Sequence, residues 1–253
     1  MLALISAMPE EIAQVLASLE DVTRREGGGR TFHCGSFHGV PVVAAFSRWG
    51  KVAAAATVAQ LLSLWQISQL VFCGVAGAVR ADLAIGDIIV GTALIQHDMD
   101  ASPLFPRYEV PLHGRAEFAA DPGLAGRLLA AARIFVREDL ATAVDAQERR
   151  FFGIREPAVH AGLIASGDRF FAGGAALAEL RARLPRTLCV EMEGAAAAQV
   201  CAEHGVPFAV VRTISDGGDE HAPRDFPRFT RTIARQFGAG ILGRFVRGPQ
   251  AAP

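Results

Sequence analysis

Two apolar runs that end abruptly in carboxylates constrain this chain more than any other feature. One is Leu188-Cys189-Val190-Glu191-Met192-Glu193-Gly194, and the other is Phe208-Ala209-Val210-Val211-Arg212-Thr213-Ile214-Ser215-Asp216. Apolar runs of this length read as strands buried on both faces, the habit of a parallel sheet. In open α/β sheets ligands gather beyond the carboxyl ends of the strands. Charge there is costly unless the carboxylates are paired, hydrogen-bonded or used. Acids also mark ordinary strand stops and helix starts, so a single cluster decides little. Two clusters, joined by one helix-like stretch from Ala195 to His204, point to a site.

The rest of the chain alternates in the same way. Leu2–Met8 reads as a strand, and Pro9 stands where a helix can begin, leading into Glu10–Leu19. Arg30–Phe37 and Val40–Phe46 form a hairpin pattern around His38-Gly39. Lys51–Trp65 reads as helix, Gln69–Gly74 as a strand ending in Gly74-Val75-Ala76-Gly77, and Ile88–Ile95 as a strand ending at His97-Asp98-Met99-Asp100. Pro122–Arg137 is helical, Glu138–Pro157 is polar without a pattern, His160–Ser166 is a strand and Gly174–Leu184 a helix. A last helix runs from about Arg224 to Phe245. Without a linker or repeat, the expectation is one α/β domain over residues 1–247, a mixed sheet of mostly parallel strands, and a frayed tail at 248–253.

Composition excludes several functions. The 253 residues are 51% hydrophobic, enough to bury a large core. The net charge of -1 leaves no electrostatic footprint for nucleic acid or a membrane surface. Among 25 basic residues Lys51 is the only lysine, a bias that fits genomic base composition. Cys34, Cys73, Cys189 and Cys201 are widely spaced in apolar contexts, so free thiols in a reducing compartment are expected. The N-terminus enters a strand without a signal-peptide pattern, and the Ala-rich stretch Val52–Trp65 reads as an amphipathic buried helix. The expectation is a cytoplasmic protein.

Polar and small residues recur at the strand ends: Glu10-Glu11, Gly74–Gly77, His97–Asp100, Ser166-Gly167-Asp168-Arg169-Phe170-Phe171, Glu191–Glu193 and Ser215-Asp216. Singly, each has a plainer explanation. The glycine pair suits a tight turn, Phe170-Phe171 suits a core, and His97 with two aspartates lacks the second histidine of a metal site. Together they describe a pocket of carboxylates, small residues and aromatics, without nucleophile, metal cluster or phosphate loop. Displacement at an anomeric carbon fits that inventory, because it needs one acid for the leaving group and one base for water. No metal and no cofactor are expected.

Seven ordered strings carry a family resemblance: Ser6-Ala7-Met8-Pro9-Glu10-Glu11, Gly50-Lys51-Val52-Ala53-Ala54-Ala55, Gly86-Asp87-Ile88-Ile89-Val90, His97-Asp98-Met99-Asp100, Ser166-Gly167-Asp168-Arg169-Phe170, Val190-Glu191-Met192-Glu193 and Val211-Arg212-Thr213-Ile214-Ser215-Asp216. From Met1 to about Phe245 the chain resembles the 5′-methylthioadenosine/S-adenosylhomocysteine nucleosidases, within the purine nucleoside phosphorylase/uridine phosphorylase superfamily. The resemblance implies a three-layer α/β/α fold, a homodimer and hydrolysis of the adenine–ribose bond.

It also implies roles. Asp216 would be the general acid at N7 and N6 of adenine, with its pKa raised by burial or a neighbouring acid, and Ser215 would orient it. Glu11 would activate the attacking water, and Arg212 would position that water and the nearby carboxylates. Glu193 would hold the 2′ and 3′ hydroxyls, with Met192 and Met8 against the sugar and Val75, Ala76 and Gly77 lining the same pocket. Phe170 would stack on adenine, while the Phe171 backbone would read its edge. Glu191, two residues before Glu193, would share its face if strand geometry persists, as a supporting charge. Leu104 or Phe105 would reach the partner subunit's 5′-alkylthio pocket.

Phosphorylases of the superfamily carry a Gly- and Arg-containing phosphate loop after the first strand. Here that place holds Met8-Pro9-Glu10-Glu11, and a carboxylate there repels phosphate, which implies a hydrolase. Other positions depart from the family's usual pattern: Val75 replaces a serine, Phe171-Ala172-Gly173 replaces Ile-Asn-Gly, and Gly217-Gly218-Asp219-Glu220-His221 is more flexible than usual. Two neighbouring activities stay open, a related purine nucleosidase such as a futalosine hydrolase and a divergent phosphorylase. A non-catalytic nucleoside binder fits less well, since it needs no acid and base on opposite faces.

Overall fold

The computed structural model describes residues 1–172, 174–217 and 222–248. Its strands are β1 (Leu2–Ser6), β2 (Glu20–Gly27), β3 (Arg30–Phe37), β4 (Val40–Phe46), β5 (Gln69–Ala78), β6 (Ile88–Gln96), β7 (Glu117–Ala119), β8 (Val159–Ser166), β9 (Thr187–Glu191) and β10 (Phe208–Asp216). Its α-helices are α1 (Pro9–Ala17), α2 (Lys51–Leu64), α3 (Pro122–Ile134), α4 (Leu140–Ala143), α5 (Ala146–Phe151), α6 (Gly174–Arg183), α7 (Gly194–Glu203), α8 (Ala222–Phe229) and α9 (Arg235–Arg247), with π-helical turns at Phe135–Asp139 and Thr230–Ala234. Every residue of β1, β9 and β10 is buried, as their unbroken apolar runs require.

The ten strands form one mixed sheet in the order β10-β6-β8-β9-β5-β1-β4-β3-β2, with β7 beside β6. A further pairing joins β10 to β5, so β5, β10, β6, β8 and β9 close into a ring. Strands β4, β1, β5 and β10 are mutually parallel, as are β6, β8 and β9. The two sets meet antiparallel at β10–β6 and β5–β9. Strands β5 and β9 touch only near their carboxyl ends, where Gly77 faces Val190 and Ala78 faces Cys189. That crossing delivers the end of β9 to the ends of β5 and β10. Helices α1 and α3 both pack on α9, and α2 packs on α7. This is the central mixed sheet with flanking helices expected from the sequence.

Three local expectations need correction. Strand β5 does not stop at Gly74 but runs through the glycine turn to Ala78. Strand β2 was not anticipated, because its residues are nearly all exposed, most are charged, and they lack the apolar alternation that marks a half-buried strand. The patternless stretch after Arg137 contains the last two residues of the π-turn, α4 and α5, of which α5 buries no residue and so carries no apolar stripe. Four free cysteines are present. Among the described residues no helix is long and apolar enough to cross a membrane. The tail beyond Gly248, residue 173 and the Gly218–His221 part of the flexible loop lie outside the described residues.

Candidate active site

Glu11 is positioned by the tight passage from β1 into α1. Pro9 takes the first helical turn, where its missing N–H is no loss, and this sets Glu11 at the third helical position. Its carboxylate turns back onto the helix start, where Oε2 accepts the backbone N–H groups of Ala7 and Met8, each at 2.9 Å. Oε1 accepts the Val75 N–H at 2.9 Å, from the neighbouring strand β5. The departure at position 75 therefore leaves a backbone donor in place whatever the side chain. Burial raises the Glu11 pKa above the ordinary carboxylate value, against the opposing pull of Arg212 and the three amides. A carboxylate so placed is a stronger base than a solvated one.

Arg212 lies inside β10, opposite Gly74 of β5 on one side and Ile89 of β6 on the other. Its guanidinium is buried, stands 4.7 Å from the centre of the Phe72 ring, and donates through Nη2 to Glu191 Oε2. Nε and Nη1 have no hydrogen-bond partner among the described residues. Burial alone would lower the arginine pKa, but Glu191, Glu193 and Glu11 together raise it. One cation thus serves three carboxylates.

Strand β9 ends at Glu191, and Glu193 already caps α7 with φ -132° and ψ -39°. The condition for a shared strand face is not met. Instead, Glu191 folds back under its successors: its carboxylate accepts the N–H of Glu193 at 3.1 Å and of Gly194 at 2.8 Å, and the Ser166 hydroxyl. Glu193 Oε1 accepts the Gly50 N–H at 2.8 Å. Burial first, then the charge of Glu191, push the Glu193 pKa up to about 8, while Arg212 and the Gly50 amide pull the other way.

The end of β10 carries an irregularity. Ile214 pairs with Ala76, but Asp216 rather than Ser215 pairs with Gly77. A bulge re-aims side chains, so Ser215 and Asp216 both line the same cavity although regular alternation would part them. The Ser215 hydroxyl donates to Asp216 Oδ2 at 2.7 Å and has the Ala76 carbonyl oxygen at 3.3 Å as a second acceptor. A Cβ on Gly77 would stand 3.1 Å from Asp216 Oδ1, so the glycine gives that carboxylate room.

These ends surround one cavity of about 540 Å³, open mouth included. It brings together Met8, Glu11, Val75, Ala76, Gly77, Phe170, Phe171, Glu191, Met192, Glu193, Ser215 and Asp216. Two expected residues do not line it. Arg212 sits behind Glu191, and Phe105 is half-buried on the segment after β6, beside Leu104, which is 84% exposed. The expected roles of Leu104 and Phe105 concern a partner's pocket, not their own. Sequence reasoning missed Trp49 and Phe226, whose rings meet edge-on at 6.0 Å, and Phe226 also meets Phe170 edge-on at 5.6 Å. Trp49 follows β4, so the strand-end rule already in use would have found it. Among the described residues no group of His, Cys, Asp and Glu side chains is arranged for a metal ion. Asp98 instead binds Lys51, and the His97 ring packs edge-on against Phe171 at 5.4 Å.

Residues 1–247 match the family described as "Phosphorylase superfamily". A 5′-methylthioadenosine/S-adenosylhomocysteine nucleosidase of Chromohalobacter salexigens is 35% identical over 92% of this chain and 91% of its own. An aminodeoxyfutalosine nucleosidase of Helicobacter pylori is 33% identical over 92% of this chain and 93% of its own. The crystal structure of the Neisseria meningitidis 5′-methylthioadenosine/S-adenosylhomocysteine nucleosidase, in complex with methylthio-immucillin-A, superposes with a TM-score of 0.85 at 32% identity, covering 97% of this chain and 98% of that one.

Proposed function

The chain belongs to the phosphorylase superfamily and, within it, to the 5′-methylthioadenosine/S-adenosylhomocysteine nucleosidases, and from that premise we propose which bond it cuts and with which residues. It is an N-glycosyl hydrolase. Its substrates are 5′-methylthioadenosine and/or S-adenosylhomocysteine, and its products are adenine and a 5′-substituted ribose. One domain over residues 1–247 carries the activity.

Glu11 is the observation on which the hydrolytic reading rests. A buried carboxylate occupies the turn after β1, where a phosphorylase needs positive charge for phosphate. In this reading Glu11 takes a proton from the attacking water, and Arg212 orients that water and the carboxylates around it. Asp216, steered by Ser215, gives its proton to N7 as the glycosidic bond breaks. Glu193 accepts the ribose 2′ and 3′ hydroxyls, beside Met8 and Met192. Phe170 stacks on the adenine ring, and the Phe171 backbone reads its edge. No metal and no cofactor enter the scheme. The 84% exposure of Leu104 supports a homodimer in which Leu104 or Phe105 reaches the partner's pocket.

The Helicobacter pylori relative favours a second reading, a nucleosidase acting on aminodeoxyfutalosine. One assay separates these readings and the phosphorolytic one. The protein is mixed with 5′-methylthioadenosine, S-adenosylhomocysteine, 5′-deoxyadenosine, aminodeoxyfutalosine and 5′-substituted inosines, with and without phosphate, and the released base is identified. Adenine from the thioadenosines in phosphate-free buffer is expected. A strict need for phosphate would sink the hydrolytic assignment.

A further inference from the structure

Three pieces of the sequence strings shared with the family have no part in the scheme above: Gly50-Lys51, His97-Asp98 and Gly167-Asp168. In the fold they meet. Lys51 Nζ donates to Asp98 Oδ1 at 2.6 Å and to Gln96 Oε1 at 3.2 Å. The Asp168 N–H donates to Asp98 Oδ2 at 2.9 Å. The Lys51 N–H donates to Asp168 Oδ1 at 2.8 Å, which closes a ring of three residues. That ring ties the start of α2 to the carboxyl ends of β6 and β8.

We propose that Lys51 is a positioning residue for Glu193, acting through this ring and the Gly50 amide. Gly50 immediately precedes Lys51 and donates its own N–H to Glu193 Oε1 at 2.8 Å. It holds φ +92°, which favours glycine, and a Cβ there would stand 3.0 Å from Asp168 Oδ1. The Asp168 carboxylate therefore holds the Gly50–Lys51 peptide, the next one along from the peptide that presents the Gly50 N–H. The Asp98 carboxyl is held below its ordinary pKa: burial pushes it up, and the Lys51 ammonium and Asp168 amide outweigh that. Lys51 is mostly buried, with 16% of its side chain exposed, and none of the three ring residues lines the catalytic cavity.

Residue usage agrees. The chain employs arginine at every other basic position yet has lysine here. A compact ammonium points separate donors at Asp98 and Gln96, a geometry that arginine's planar fork does not reproduce. What Lys51 sets is the orientation of the Glu193 carboxylate toward the sugar, so the inference rests on Glu193 as the ribose clamp.

Lys51→Met keeps the apolar stem and removes the ammonium. Amide exchange at Gly50, position 51 and Asp168 is expected to accelerate about tenfold or more, while amides of β1 and β10 keep their protection. On the thioadenosine substrate kcat/KM is expected to fall about tenfold, chiefly through KM, and by at most about twofold when Glu193 is already Gln. Asp98→Asn, which keeps an acceptor for the Asp168 amide, should show the same pattern more weakly and covers the case in which Lys51→Met does not fold. Unchanged exchange at Gly50, or an equal loss in both backgrounds, overturns the proposal. Full activity of Glu193→Gln alone rejects the ribose clamp instead, and the exchange at Gly50 then decides the ring by itself.

Discussion

Glu11 and Arg212 face each other across the bare backbone of Gly74. A Cβ on that glycine would stand 2.7 Å from Glu11 Oε1 and 3.0 Å from Arg212 Nη1. Gly74 is the β5 residue in register with Arg212, so the absence of a side chain there admits both groups to one point. A buried carboxylate and a buried guanidinium are each costly alone, and their approach offsets part of that cost. The same approach sets the proposed base beside the donor that would orient its water.

Gly74→Ala is therefore expected to push Glu11 and Arg212 apart without dismantling the sheet. A displacement of an ångström at a catalytic group costs roughly 10²-fold in rate, and crowding of this kind destabilises by about 1–3 kcal/mol. Steady-state kinetics and a thermal melt check both. A fully active Gly74→Ala variant would show that the Glu11–Arg212 spacing does not matter to the reaction.

Glu11→Gln keeps one acceptor oxygen, enough for the Ala7 and Met8 amides or for the Val75 amide but not for both, and cannot take a proton. The loss expected of a missing general base is roughly 10²–10⁴ in kcat. The glutamine NH2 faces a backbone donor and the attraction of Arg212 is lost, so the melting temperature is expected to fall, although the desolvation that raises the Glu11 pKa is removed. A rate within a few-fold of the parent would move the base elsewhere.

Asp216→Asn keeps the Ser215 contact and the room provided by Gly77, yet offers no proton to the leaving base. Turnover is expected to vanish while the circular dichroism spectrum and the binding of adenine persist. Near-parental activity would reject Asp216 as the acid.

The elements around the site were legible in the sequence because burial on both faces leaves a strong signature. Strands β1, β9 and β10 are apolar throughout, and their polar ends stand out against that background. What was not legible has physical reasons. Strand β2 satisfies its backbone by pairing with β3 at the sheet edge and needs no apolar residues to do so. The closure of β10 onto β5 depends on pairings between residues more than 130 positions apart, which no local pattern encodes. Glu191 looked like a companion to Glu193 on one strand face, yet the chain leaves strand geometry between them, and Glu191 turns inward to Arg212. The bulge at Ser215 was equally hidden, since one extra residue changes which faces its neighbours point to and leaves composition untouched.

Glu193 supplies a prediction in which the sign of a pH effect is the test. In the unfolded chain its carboxyl titrates at the ordinary value of 4.5, and in the folded protein burial and Glu191 push it up to about 8. Between those values the folded state holds a proton that the unfolded state has released. The unfolded state then binds fewer protons, so stability falls as pH rises through that window and levels off above it. Glutamine imitates the neutral form at every pH and escapes the penalty. Each unit of pKa difference corresponds to about 1.4 kcal/mol, and a chain of this size melts about 2–4 °C higher per kcal/mol. Relative to its value at pH 5, the melting-temperature gap of Glu193→Gln over the parent should widen by at least about 5 °C by pH 9. Titrating groups remote from Glu193 are common to both proteins and cancel in the comparison. A gap that stays constant from pH 5 to 9, or narrows, would mean that Glu193 does not gain a proton on folding in that range.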